Sequence, residues 1–183
     1  CLEYNYEYLT RVLGVDKKEL VYGEDLWNMP DFSAFGPCIE AFSKGSELVN
    51  SVFMQYYLDG EQVKELPTKV VDVGWGFERL LWYYRGDNTI YDSTFPNAVN
   101  FIKSTAGLKI EKKLFDEYAR LSSTLDVESV RNLREEKQKI ADALGITLPI
   151  LEKTIAPMQA IYAVGDHSRS LLFALTDGAL PSN

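Results

Sequence analysis

Apolar and polar positions along the chain fall into two regimes. Leu2, Tyr6, Leu9 and Leu13 share one helical face, so residues 2–13 are predicted to be a helix. "ELVYGEDLW" then reads as a strand, and "NMPDFSAFG", rich in turn residues, as a loop. Three apolar runs follow, "PCIEAFS", "ELVNSVFMQYYL" and "KVVDVG", separated by the turn-like "KGS" and "DGEQ". This pattern predicts antiparallel strands joined by hairpins. Their apolar positions are nearly continuous rather than alternating, which predicts cover on both faces. After Gly74 the period changes. Phe77, Leu80, Leu81 and Tyr84 stand at i, i+3, i+4 and i+7, the stripe of a helix ending near Gly86.

Beyond residue 90 no segment reads as a strand. Helices are predicted over "FPNAVNFIKSTAG", with Pro96 in the first turn, and over "IEKKLFDEYARLSS". "VESVRNLREEKQKIADALG" carries apolar Val127, Val130, Leu133, Ile140 and Leu144, with Asp126 as its cap and Gly145 as its stop. "LPILEKTIAPMQAIYAV" is predicted to kink or split at Pro157. "DHSRSLLFALTDG" reads as a separate helix, with Asp166 as N-cap and Gly178 just past its end. The fold class is therefore α+β, a strand-rich half preceding an all-helical half, with the division near residue 90.

Composition narrows the classes. The 183 residues carry a net charge of −8, with 46% apolar and 25% charged residues, the balance of a globular protein with a real core. No apolar run reaches the roughly 18–20 residues that span a bilayer, so no membrane role is expected, and the sparse cysteines make a reducing cytoplasm the simple reading. Two cysteines, Cys1 and Cys38, and one histidine, His167, are too few for a disulfide framework or a His-rich metal site. The acidic balance disfavours non-specific nucleic-acid binding, so any such role needs a local basic face. The chain starts without Met and stops at "GALPSN", and it is expected to be part of a longer protein.

The richest chemistry lies in "VDVGWGFERLLWYY", residues 71–84. In a strand Val70, Asp72 and Gly74 share a face. A carboxylate there needs a partner, either a Lys or Arg in a salt bridge or a ligand cation such as an α-ammonium. Gly74 leaves room for a ligand against the backbone. Arg79, in the first turns of the following helix, points away from the predicted stripe, and its planar fork suits a phosphate oxygen. Glycines, a helix N-terminus and an arginine together fit a nucleotide-phosphate site. Gly-x-Gly by itself is equally a plain strand–helix turn.

"GWGFER" after a strand resembles motif 3 of the class II aminoacyl-tRNA synthetases. Within that class, "LWNMPDFSAFGPCIE", "LVNSVFMQYY", "VVDVGWGFERLLW" and "VGDHSRSLLFALTDGALPSN" are similar, in this order, to the alanyl-tRNA synthetase family of archaeal type. The resemblance implies residues 1–90 as the C-terminal part of a class II catalytic domain including motif 3. Residues 91–183 are then a truncated helical tRNA-recognition region. It implies activation of alanine by ATP, with Mg²⁺ accompanying the nucleotide, and transfer of alanine to the acceptor stem of tRNA(Ala). Asp72 matches the aspartate that binds the substrate ammonium and Gly74 the glycine beside it. Trp27 matches a wall of the alanine pocket and Asn50 an asparagine near the substrate. Arg79 matches the arginine on the γ-phosphate, with Gly76 and Glu40 on the ATP side. Asp72 and Arg79 are the implied catalytic pair. Asn183 matches the asparagine region that reads the tRNA acceptor stem, and Arg169 falls in a segment typical of the tRNA-recognition part, where a structural role fits as well. Arg131, Arg134 and Lys137, read from their spacing along one helix side, are candidates for tRNA phosphates, as are Lys112 and Lys113.

Several features depart from the family pattern or leave other readings open. Val-Asp-Val-Gly stands where many members have Val-Asp-Thr-Gly, which removes a hydroxyl near the amino acid. Motif 2, its α-phosphate arginine and the zinc-binding editing domain have no counterpart in this sequence. The remaining N- and C-terminal portions of the synthetase are thus implied partners. Zinc is expected only in the editing domain. A small pocket separates alanine from serine or glycine by only about 1–3 kcal/mol, so proofreading is expected elsewhere. Trp27 and Asn50 have structural readings, as a core aromatic and a backbone-satisfying amide. Glu40 fits a rim or hydrogen-bonding role as well as a nucleotide contact. "RNLREEKQK" reads first as a solvated helix face. The rival function is a non-catalytic tRNA-binding module or one half of a split synthetase.

Overall fold

The computed structural model describes residues 1–108, 110–122 and 132–180. The chain forms two compact units, Cys1–Arg85 and Gly86–Asn183.

The first unit opens with helix α1, Leu2–Glu7, which passes into a π-helical turn over Tyr8–Val12. The predicted helix is there, but the wider turn shifts its buried positions. Leu9 is fully buried, whereas Leu2 lies at the surface and Asn5 takes a buried place instead. Four strands follow, β1 Leu20–Asn28, β2 Phe35–Ser43, β3 Ser46–Asp59 and β4 Gln62–Trp75. They form one antiparallel sheet in the order β1-β2-β3-β4. Lys44 and Gly45 both have positive φ, 52° and 81°, as the two-residue β2–β3 hairpin of type I′ demands. Pro67 lies where β3–β4 pairing lapses, between the Met54–Val70 and Tyr56–Glu65 pairs, so no ladder donor is lost. Gly36 is obligatory for a different reason: a Cβ there would collide with the Phe53 carbonyl oxygen.

The cover on both faces that the apolar runs predicted holds for β2 and β3, where Cys38 and Val52 are buried on one face and Ala41 and Val49 on the other, but not for β4. β2 and β3 are buried at alternate or successive positions, but β4 is an edge strand exposed along nearly its whole length. One sheet face packs under α1 and the π turn. There Leu9, Val15, Ala41, Leu48 and Val49 form a core with Leu13, Leu20 and Val73 against it. Asn5 is satisfied in this layer by donating to Ser51 Oγ at 2.9 Å. A smaller cluster of Cys38, Val52 and Met54 marks the other face.

Helix α2, Phe77–Arg85, completes the unit. Its span matches the prediction, but its inward side does not. Phe77 and Tyr84 are 71% and 80% exposed, and Leu80 and Tyr83 make the contact with the core. Hydrophobicity alone favours that stripe; a tyrosine whose hydroxyl finds a partner takes its place.

The second unit is helical among its described residues. It contains α3 Ile90–Thr94, α4 Pro96–Ala106, α5 Lys112–Ser122, α6 Leu133–Ala143 and α7 Leu148–Thr176. Its core joins Val99, Phe115, Tyr118 and Ile140 to Leu151, Ile155, Met158 and Tyr162, one stripe of α7. Pro157 lies inside α7 and does not split it, and α7 runs on through Asp166, so no separate helix starts there. Gly178, at φ 87°, does lie just past the helix end. Asn132 caps α6 by accepting from Glu135 N–H. The predicted cap Asp126 lies outside the described residues. No helix among the described residues is long and apolar enough to cross a membrane.

Candidate active site

Cross-strand partners share a sheet face, so the register decides which side chains meet. Gly23, Glu40, Asn50 and Gly74 pair in sequence across β1 to β4 and form one row. Asp25, Cys38, Val52 and Asp72 form the next row on the same face. Trp27, two residues beyond Asp25, belongs to that face too, opposite Gly36. Five of the residues singled out by sequence, Trp27, Glu40, Asn50, Asp72 and Gly74, therefore lie on one side of the sheet. It is the side opposite α1.

The local chemistry is that of an incompletely satisfied polar surface. Asn50 donates from Nδ2 to Glu40 Oε1 at 3.2 Å. Its Oδ1 is buried and has no hydrogen-bond donor. A buried acceptor left so costs roughly 1–3 kcal/mol and is a natural place for a ligand N–H. Across the ladder, Gly74 has open space where a Cβ would stand. Asp72 is exposed and enters none of the described ion pairs. Burial pushes the Glu40 carboxyl above its ordinary range; the Glu47 and Asp25 carboxylates push the same way, and the Arg79 guanidinium opposes them. Burial likewise raises the Cys38 thiol, against a hydrogen bond from Asn50.

Arg79 is placed by the turn before α2. Gly76 donates its N–H to Leu48 carbonyl at 3.1 Å, and its missing Cβ leaves room for the Arg79 stem, which would lie 3.1 Å from it. The Arg79 guanidinium donates to the Glu47 carboxylate at 2.8 Å and to its carbonyl at 3.3 Å. Thus Gly76 shapes the arginine, and Arg79 faces the end of the sheet where Glu40 and Glu47 lie. Sequence reasoning missed Glu47 and Asp25. Glu47 follows a hairpin turn, where no periodicity marks a role, and Asp25 becomes notable only once it pairs opposite Cys38.

The basic candidates stand apart from this site in the chain. Arg134 is exposed on α6. Arg169, on α7, lies over the Phe95 ring at 5.8 Å. Lys112 is engaged by Asp116 on the same helix. Arg131 and Asn183 lie outside the described residues. The helical unit also holds a cavity of about 610 Å³. On its wall Asp92 accepts from Tyr162 at 2.8 Å and meets Lys103 at 3.5 Å. No cluster of three or more metal-ligating side chains occurs among the described residues.

A strand ending in Gly-Trp-Gly, a helix opening on Glu-Arg and a polar antiparallel sheet face together define a synthetase-type fold. The chain belongs to the class II tRNA synthetases: the family model described as "tRNA synthetases class II (A)" matches residues 1–183. Among its relatives are proteins named alanine--tRNA ligase. That of Methanococcus maripaludis strain C5 is 39% identical over 183 residues, and that of Methanosphaera stadtmanae 37% over 182. The one from Methanothermobacter thermautotrophicus is 37% identical over 184 residues. Each match covers 100% of this chain but only 20% of the relative's length.

Proposed function

We propose that the chain is part of an alanine–tRNA ligase and supplies the amino-acid side of its activation site. In that reaction a carboxylate oxygen of alanine attacks the α-phosphorus of ATP. The bond to the β-phosphate oxygen breaks, pyrophosphate leaves, and alanyl-adenylate forms. A terminal ribose hydroxyl of tRNA(Ala) then attacks the activated carbonyl and AMP departs. No general base is needed for the first step, because the nucleophile is already ionised. Positioning and charge stabilisation do the work.

Within this scheme Asp72 receives the α-ammonium, and Gly74 lets the substrate approach β4. Asn50 Oδ1 accepts a substrate N–H, and Trp27 walls the methyl group. Arg79 leaves or shares Glu47 to meet the γ-phosphate, with Glu40 and Gly76 at the same end. Mg²⁺ carried by ATP would supply charge neutralisation on the phosphates. Arg134, Arg169, Arg131 and Asn183 are the proposed tRNA contacts. The observation that carries the reading is the buried, donorless Asn50 Oδ1, two residues along the sheet from Asp72 and opposite the open space at Gly74.

Alanine-dependent ATP–pyrophosphate exchange by the full-length protein tests it. Exchange with alanine, and little with this chain alone, is the expected result. A full-length protein that binds tRNA but exchanges no pyrophosphate would instead be a non-catalytic module.

A further inference from the structure

None of the residues of helix α2 is buried, and Leu80 and the ring of Tyr83 pack against the sheet core. Polar anchors add to this apolar contact in fixing where the helix sits. Two such anchors converge on the end of the β2–β3 hairpin. One joins Arg79 to Glu47. The other is built on Tyr83, one turn later on the same helix face.

The Tyr83 hydroxyl accepts from Ser43 Oγ at 3.1 Å and donates to Glu19 Oε2 at 3.1 Å. Ser43 is fully buried, the last residue of β2. Lys44 Nζ closes the group, 3.5 Å from the same Glu19 oxygen and 5.2 Å from the Tyr83 ring centroid. The anchor is therefore the tip of a type I′ hairpin, a stiff element, and not a mobile loop.

We propose that Tyr83 is a positioning residue for the activation step: its hydroxyl, held between Ser43 and Glu19, fixes the turn of α2 that presents Arg79. The inference rests on the reading of Arg79 as a polyphosphate ligand. Its physical basis is that misplacing a charge-stabilising group by about 1 Å costs up to ~10²-fold in rate. Tyr83→Phe keeps the ring and its packing but takes from Ser43 its acceptor and from Glu19 one of its two partners.

The test uses the full-length protein and two readouts. In pyrophosphate exchange, Tyr83→Phe is expected to raise KM for ATP about fivefold to tenfold, with KM for alanine within about twofold of wild type. Glu19→Gln, which keeps an oxygen acceptor, is expected to stay near wild type. Independently of turnover, phenylglyoxal labelling of Arg79, read by peptide mass spectrometry, is expected to run several-fold faster in Tyr83→Phe. Ser43→Ala removes one of the two bonds of the Tyr83 hydroxyl and should move both readouts in the same direction, to a smaller extent, if Tyr83→Phe folds poorly. Unchanged Arg79 labelling in either variant overturns the proposal, as does an equal loss in both KM values. Absence of exchange in wild type defeats the functional reading instead, and the labelling then still decides the role of Tyr83.

Discussion

The two faces of the sheet are built from the same four strands and have opposite economies. Beneath α1 the face is filled: Leu9, Ala41, Leu48 and Val49 are each no more than 2% exposed, and the polar Asn5 and Ser51 satisfy each other. On the other face a glutamate is held above its ordinary pKa range, an amide oxygen lacks a donor, and a glycine faces open space. A stable fold needs one such face closed. The other is left unsatisfied, and in the proposed reading a bound molecule completes it. The difference teaches where to look for function: at the unsatisfied side of an otherwise well-packed element.

Substitutions can separate the two faces. The largest expected effect is from Leu9→Ala, which should destabilise the sheet unit by about 2–5 kcal/mol through lost burial and a cavity, measured by denaturant unfolding. Arg79→Ala should leave unfolding within about 1 kcal/mol, since its pair with Glu47 is partly exposed, yet lower kcat/KM for ATP about 10²-fold. Asn5→Ala should cost about 1–2 kcal/mol by orphaning the buried Ser51 hydroxyl, with pyrophosphate exchange retained.

The pH dependence is a smaller test. Glu40 holds its proton more tightly in the folded protein than in the unfolded chain. Its ionised form therefore costs stability above the folded pKa, and the cost is relieved as pH falls through that value. Below the unfolded pKa nothing further is gained. The proposed ammonium site at Asp72 lies one row along the same sheet face from Glu40; a cation there favours the ionised form, so alanine affinity should weaken as pH falls through the raised Glu40 pKa. Glu40→Gln should remove that acid limb. Glu47→Gln should move it to lower pH, because one repelling carboxylate is lost while Arg79 remains.

Much of this architecture was legible in the sequence. Hairpin turns and β-branched runs located the strands, and the change of period after Gly74 located α2. Asp72 and Gly74 were placed on one face by alternation, and the family resemblance added Trp27, Glu40 and Asn50, which the register brings to that same face. Three features were not legible, each for a tertiary reason. Apolar runs do not reveal that β4 is an edge, since exposure depends on neighbours in space. Tyr83 displaced Phe77 and Tyr84 from the inward side because its hydroxyl finds Ser43 and Glu19, residues 40 and 64 positions away. Pro157 stayed inside α7 because the stripe from Leu151 to Tyr162 packs continuously across it, and this outweighs one lost backbone hydrogen bond.

The most direct measurement is the binding of alanine to the full-length protein carrying Asp72→Asn, compared with wild type. The substitution keeps the side chain's size and removes its charge. If the open face receives the α-ammonium, alanine affinity falls at least tenfold while ATP affinity and unfolding stay near wild type. Unchanged alanine affinity would contradict the assignment of that face to the amino acid.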